Sequence, residues 1–125
     1  MRPASALPFL LALAACAAPG PREGGAAEAL AGRIAGPAQS CVPADDMTQL
    51  RVLDAHSVAY ETGGTLWVSR LPSDCPGLRA DDRLAVEMHG RQYCRDDRFR
   101  TVSPGSALPG PVCTLGPFVP YRRAR

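Results

Sequence analysis

The chain has 125 residues and no lysine: all 14 of its basic residues are arginine. Aromatic residues make up 6%, with a single tryptophan. No uninterrupted apolar run reaches the roughly 18 residues that a membrane-crossing helix needs. Past residue 33 no segment keeps a 3.6-residue apolar period, and 13 prolines argue against long helices. The cysteines never fall in the close C-x-x-C pairs typical of zinc modules, which argues against a metal site. His56 and His89 are isolated from them and read as ordinary surface or core histidines. Also missing are the G-x-S-x-G elbow, the S-x-x-K motif and the spaced acidic loop of calcium sites. Net charge is only +2, so no field exists that would call for nucleic acid. The arginine-only basic set, together with abundant alanine, glycine and proline, reads as the coding bias of a G+C-rich genome.

What is present begins at the amino terminus. Arg2 precedes an uncharged, largely apolar run from Leu7 to Ala15, the plan of an export signal too short to span a bilayer. The run ends in Leu13-Ala14-Ala15-Cys16, which resembles the lipobox of bacterial lipoproteins. That resemblance implies alkylation of the Cys16 thiol by diacylglycerol, cleavage before it, and acylation of the new amine. Two or more chains at one residue give stable attachment, at about 0.8 kcal/mol per buried methylene. Ala17 follows the cysteine where inner-membrane lipoproteins carry aspartate, which implies the outer membrane facing the periplasm. The reading weighed against it is ordinary cleavage among the small residues, with Cys16 incidental.

Cysteine arithmetic agrees with export. Assigning Cys16 to lipid leaves Cys41, Cys75, Cys94 and Cys113, an even set suited to an oxidising compartment. Three connectivities are open; a local Cys75–Cys94 bridge with Cys41–Cys113 joining the ends is the preferred one. Staples matter for a folded part of this size, where burial alone gives modest stability.

The expected organisation is a signal peptide over 1–15, a lipidated cysteine and flexible tether over 16–32, a β-domain over 33–121 and a basic tail over 122–125. Within the tether, residues 26–31 can form a fleeting helical turn. Strands are expected at 50–54, 56–61, 65–70, 83–88, 92–94, 99–102 and 112–119. The runs around Gly63-Gly64 make the clearest hairpin. The fold class is therefore all-β, a small disulfide-stapled barrel or sandwich. The period of two sets Trp67 opposite in phase to Leu66 and Val68. Either Trp67 marks an outer contact patch, or both faces are covered; the second is preferred.

Residues 79–84 and 95–99 each place Asp-Asp-Arg before an apolar residue, an echo best read as two turns entering strands. Adjacent aspartates point to opposite faces of a strand, so these pairs make no acid/base dyad by themselves. The segments Cys75-Pro76-Gly77-Leu78, Cys94-Arg95-Asp96-Asp97 and Cys113-Thr114-Leu115-Gly116-Pro117-Phe118 are similar to those of a family of small bacterial envelope lipoproteins with four cysteines, a domain of unknown function. That resemblance covers residues 33–121 and implies export and disulfides. It supplies no activity and no catalytic residue. Asp96 departs from the pattern, standing where the family favours glycine.

These readings lead to a non-enzymatic structural or protein-interaction module, with no cofactor and no metal. Its expected partners are the membrane, through the anchor, and an envelope protein. The alternative is a small-ligand-binding module or an inhibitor of an envelope-directed hydrolase, the second acting through a protruding loop at 104–111. The basic tail at 122–125 reads as a solvated terminus that can touch anionic lipid.

Overall fold

The computed structural model describes residues 25–125; the expected signal peptide, Cys16 and the first part of the tether lie outside them. One short helix, α1 (Gly25–Leu30), precedes ten strands. These are β1 (Arg33–Ala35), β2 (Cys41–Pro43), β3 (Arg51–Asp54), β4 (Ser57–Thr62), β5 (Thr65–Arg70), β6 (Arg83–Val86), β7 (Gln92–Cys94), β8 (Arg98–Val102), β9 (Val112–Thr114) and β10 (Phe118–Arg123). Eight form an antiparallel sheet in the order β1-β10-β5-β4-β3-β6-β8-β9, and β2 with β7 makes a separate two-stranded ribbon. The fold is all-β and stapled by two disulfides.

The β4–β5 hairpin turns on Gly63 and Gly64, whose φ angles of 56° and 78° are both left-handed. Two positive φ values in a two-residue loop match the right-handed twist of the strands, and only glycine takes them freely. Thr62 faces Thr65 across that turn, and the register runs unbroken to Ser57 opposite Arg70.

The eight-stranded sheet is not flat. Phe99 of β8 and Phe118 of β10 share one buried cluster, although four strands lie between them in sheet order. On a flat sheet they would be about 24 Å apart at ordinary strand spacing. The sheet therefore folds over, and its seam lies between β3 and β6, where the register consists of Arg51 opposite Arg83. A bulge between Val52 and Asp54 loosens β3 beside that seam. Val42 and Tyr93 of the ribbon fill the same cluster, closing the sandwich.

A second cluster lies on the outer face of the sheet. Leu53, Ala59, Leu66 and Val68 are buried there beneath Ala26, Ala29 and Leu30 of α1. Those three residues sit at helical spacing i, i+3, i+4, so one face of a six-residue helix meets the sheet. Residues 25–30 are thus docked structure where a flexible tether is expected. Partial burial of two alanines and a leucine against the sheet stabilises a helix too short to form by itself. At the other end, β10 continues through Arg123, so Arg122 and Arg123 belong to a strand and not to a free tail.

The disulfides join Cys41 to Cys94 and Cys75 to Cys113, not the expected pairs. Loop length favours the local bridge, but strand register decides. Cys41 and Cys94 stand directly opposite each other in the ribbon. Cys113 faces Phe99 on β9, and its side chain enters the core that also receives Cys75 from the loop after β5.

Candidate functional site

The residues singled out in the sequence are mostly scattered, and their surroundings explain them structurally. His56 lies 3.8 Å from Asp74, both well exposed, in a shallow cleft of about 470 Å³ that Arg70 and Ser73 also line. The contact is exposed and screened, and among the described residues no hydrogen bond joins Ser73 to His56. His89 lies 3.3 Å from Asp97, but the ring is largely in solvent.

The paired aspartates are turn devices. Asp82 accepts a hydrogen bond from the Arg79 N–H at 2.9 Å, and its own N–H donates to the Arg79 carbonyl at 3.0 Å. Asp97 repeats the arrangement with Cys94, at 2.8 and 3.2 Å. Each reciprocal pair sits immediately before β6 or β8, strands that pair with each other. The sequence echo shares this reciprocal hydrogen-bond pair, though the two backbones differ, Asp96 having a positive φ where Asp81 does not. Between them, Asp96 has a left-handed φ of 71°, a conformation that glycine takes without strain and aspartate tolerates.

Asp45 is the other ordered carboxylate. The Met47 and Thr48 N–H groups donate to it, as does the Tyr60 hydroxyl at 3.0 Å. Desolvation pushes its pKa up, but these hydrogen bonds outweigh it and hold the group below the usual carboxylate value. Tyr60 is pushed up, first by burial and then by the Asp45 side chain. Tyr93, edge-on to Tyr60 with ring centroids 5.5 Å apart, is pushed up chiefly by burial. The set anchors the loop after β2 to the core. Trp67 packs against the main core, while Leu66 and Val68 face α1, so both faces of β5 are covered. Ser69 and Gly116 lock β5 to the stretch before β10 through reciprocal 2.9 Å hydrogen bonds. A Cβ at Gly116 would strike the Arg70 carbonyl, which is why glycine stands there.

One surface gathers chemistry that linear reading does not show. On the uncovered outer face, Arg51 of β3 stands opposite Arg83 of β6, Arg83 opposite Val102 of β8, and Arg100 of β8 between Ala85 and Val112. Arg83 and Arg100 are exposed, as are Val102 at 39% and Val112 at 43%. Among the described residues neither arginine has a carboxylate within ion-pair distance; Arg100 donates to the Gly110 carbonyl at 3.2 Å. Arg51 reaches Glu61 at 4.0 Å, but Arg33 already holds that carboxylate at 3.0 Å. Two signals could have found this face. Alternation in 98–102 sets Arg98, Arg100 and Val102 on one side, and no acidic residue follows Asp97 anywhere in the chain.

Geometry defines the class at this point: a small, disulfide-stapled β-sandwich with a bare cationic outer face. Set against known families, curated proteins and solved structures, the chain finds no match.

Proposed function

We propose that the protein is an envelope lipoprotein, anchored through Cys16 to the outer membrane, whose β-domain works by contact and not by catalysis. The observation that carries the reading is the pairing of Cys41 with Cys94 and Cys75 with Cys113. Two bridges in so small a domain fit an oxidising compartment. They consume the even set, so none of those four thiols is left to pair with Cys16. The Leu13-Ala14-Ala15-Cys16 pattern then gives that cysteine a chemical role, as acceptor of the lipid. The resemblance to four-cysteine envelope lipoproteins points the same way and names no activity.

Mass spectrometry of the envelope-extracted protein tests the anchor. The expected chain starts at Cys16 and carries acyl mass; an unmodified start at Ala15 or Ala17 overturns it. Co-purification through the intact anchor then tests the contact role, and a defined envelope protein is the expected companion.

The second reading, an inhibitor of an envelope-directed hydrolase, is favoured by the loop between β8 and β9. Its Leu108 is 78% exposed, and reciprocal hydrogen bonds with Ser106 hold the local turn. A Leu108→Asp substitution that abolishes capture of a hydrolase while leaving the fold intact would favour this reading over the first.

A further inference from the structure

We propose that the outer face around Arg51, Arg83 and Arg100 is the surface by which the domain lies against the acidic head groups of the leaflet that anchors it; this rests on the lipid-anchored reading above. Three independent observations converge on that face. The first is charge. Like charges directly opposite on neighbouring strands destabilise a sheet, and Arg51 faces Arg83 across the seam. Arg83 and Arg100 have no carboxylate partner among the described residues, so an external anion is what would relieve them. Of the neighbouring carboxylates, Glu61 serves Arg33 and Arg51, Glu87 holds Arg98 at 2.9 Å, and Glu28 lines the cleft beside Arg51; none of them is paired with Arg83 or Arg100.

The second is the place where the described chain begins. Gly25 shares a cleft with Arg51, Leu53 and Ala80, which puts it on this outer face beside the β3–β6 seam. Eight residues lie between Cys16 and Gly25, nine Cα–Cα steps with a reach of about 30 Å at full extension. A chain fixed at Cys16 therefore enters the described domain at Gly25, on the side that carries Arg83 and Arg100. The third is texture. Val102 and Val112 leave aliphatic surface between the guanidinium groups, and arginine stems add more. Guanidinium with aliphatic surface suits the phosphate and glycerol region of a bilayer, where each cation adds to attraction by an acidic leaflet.

The test labels arginine side chains with phenylglyoxal and maps the adducts by peptide mass spectrometry, using the envelope-extracted protein. It is reconstituted into vesicles of phosphatidylcholine alone and of phosphatidylcholine mixed with phosphatidylglycerol. Labelling of Arg83 and Arg100 is expected to slow roughly tenfold in the acidic vesicles relative to the neutral ones. The protection should fade at high salt, where the screening length falls to about 3 Å. Arg91 and Arg95, near the ribbon, should label equally in both. Equal rates at Arg83 and Arg100 in the two vesicles would overturn the proposal. So would protection confined to Arg122, Arg123 and Arg125, or equal protection by inorganic phosphate without vesicles. Intact mass of the same sample reports separately on Cys16. If acyl mass is missing, the anchored reading fails, and vesicles added to the soluble chain still report on the face.

Discussion

The two halves of the folded sheet are stabilised by different means. Around β3, β4 and β5 the core covers one face and α1 the other, so β4 and β5 are buried almost continuously. In the half formed by β6, β8 and β9, one face meets the core and the other meets water, and the strands alternate strictly between inward and exposed residues. One disulfide reaches this thinner side, through Cys113 on β9, and the other closes the separate β2–β7 ribbon. Apolar burial scales with covered area. A half-sheet with one covered face gains less from it, and a cross-link supplies the difference.

Removing a staple should show this most strongly. The Cys75→Ala/Cys113→Ala double variant is expected to lose about 4 kcal/mol in urea denaturation, from a loop closed over 38 residues. Hydrogen exchange should quicken in β8 and β9 before β4 and β5. Equal loss of protection in all four strands would make the halves one cooperative unit and end the comparison.

Next in size is Leu66→Ala, which empties a site between the sheet and α1 and should cost about 3 kcal/mol. Val112→Ala, on the uncovered face, should stay within about 0.5 kcal/mol. If the two costs proved similar, α1 would not be covering its side in any energetic sense.

Tyr60→Phe should cost about 1 kcal/mol by removing the hydroxyl that Asp45 engages. The pH dependence runs in two directions. Tyr60 and Tyr93 have folded pKa values raised above the ordinary 10.0, so their contribution is full below that pH. It is lost as pH climbs through the folded values, and tyrosinate absorbance should rise with unfolding there. Asp45 is held below the ordinary 3.8, so its contribution is present above that pH and disappears as acid carries the protein through the lower folded value. A Tyr60→Phe variant with an unchanged alkaline midpoint would show that Tyr60 takes no part.

The smallest effect sharpens the contrast at one residue. Asp96→Gly should be neutral to within about 0.5 kcal/mol, whereas Asp96→Val should cost about 1 kcal/mol, because a branched side chain resists the left-handed backbone there. A harmless valine would show that the turn relaxes.

Local chemistry was the legible part of the sequence. Gly63-Gly64 announced the hairpin, and the repeated Asp-Asp-Arg announced two strand entries, because turn geometry is set by a few adjacent residues. Alternation along β5 placed Trp67 opposite Leu66 and Val68. The missed features all depend on neighbours far along the chain. Helix α1 has too small an apolar face to declare itself, and only the sheet beneath makes it worth forming. The cysteine partners follow from β2 lying beside β7, which no spacing rule contains. Arg51, Arg83 and Arg100 are scattered over fifty positions and meet only through strand register.

Read along the chain, the first cysteine of the domain joins the third and the second joins the fourth, so the two closed loops interlock. A polypeptide oxidised stepwise, each thiol seizing the next to appear, would link Cys41 to Cys75 and Cys94 to Cys113. Neither of those links survives in the finished molecule. Reaching the interlocked pattern from such a start requires thiolate attack and exchange through mixed disulfides. From such a start, maturation would call on exchange as well as oxidation, whereas a chain that folds first brings the opposed cysteines together directly.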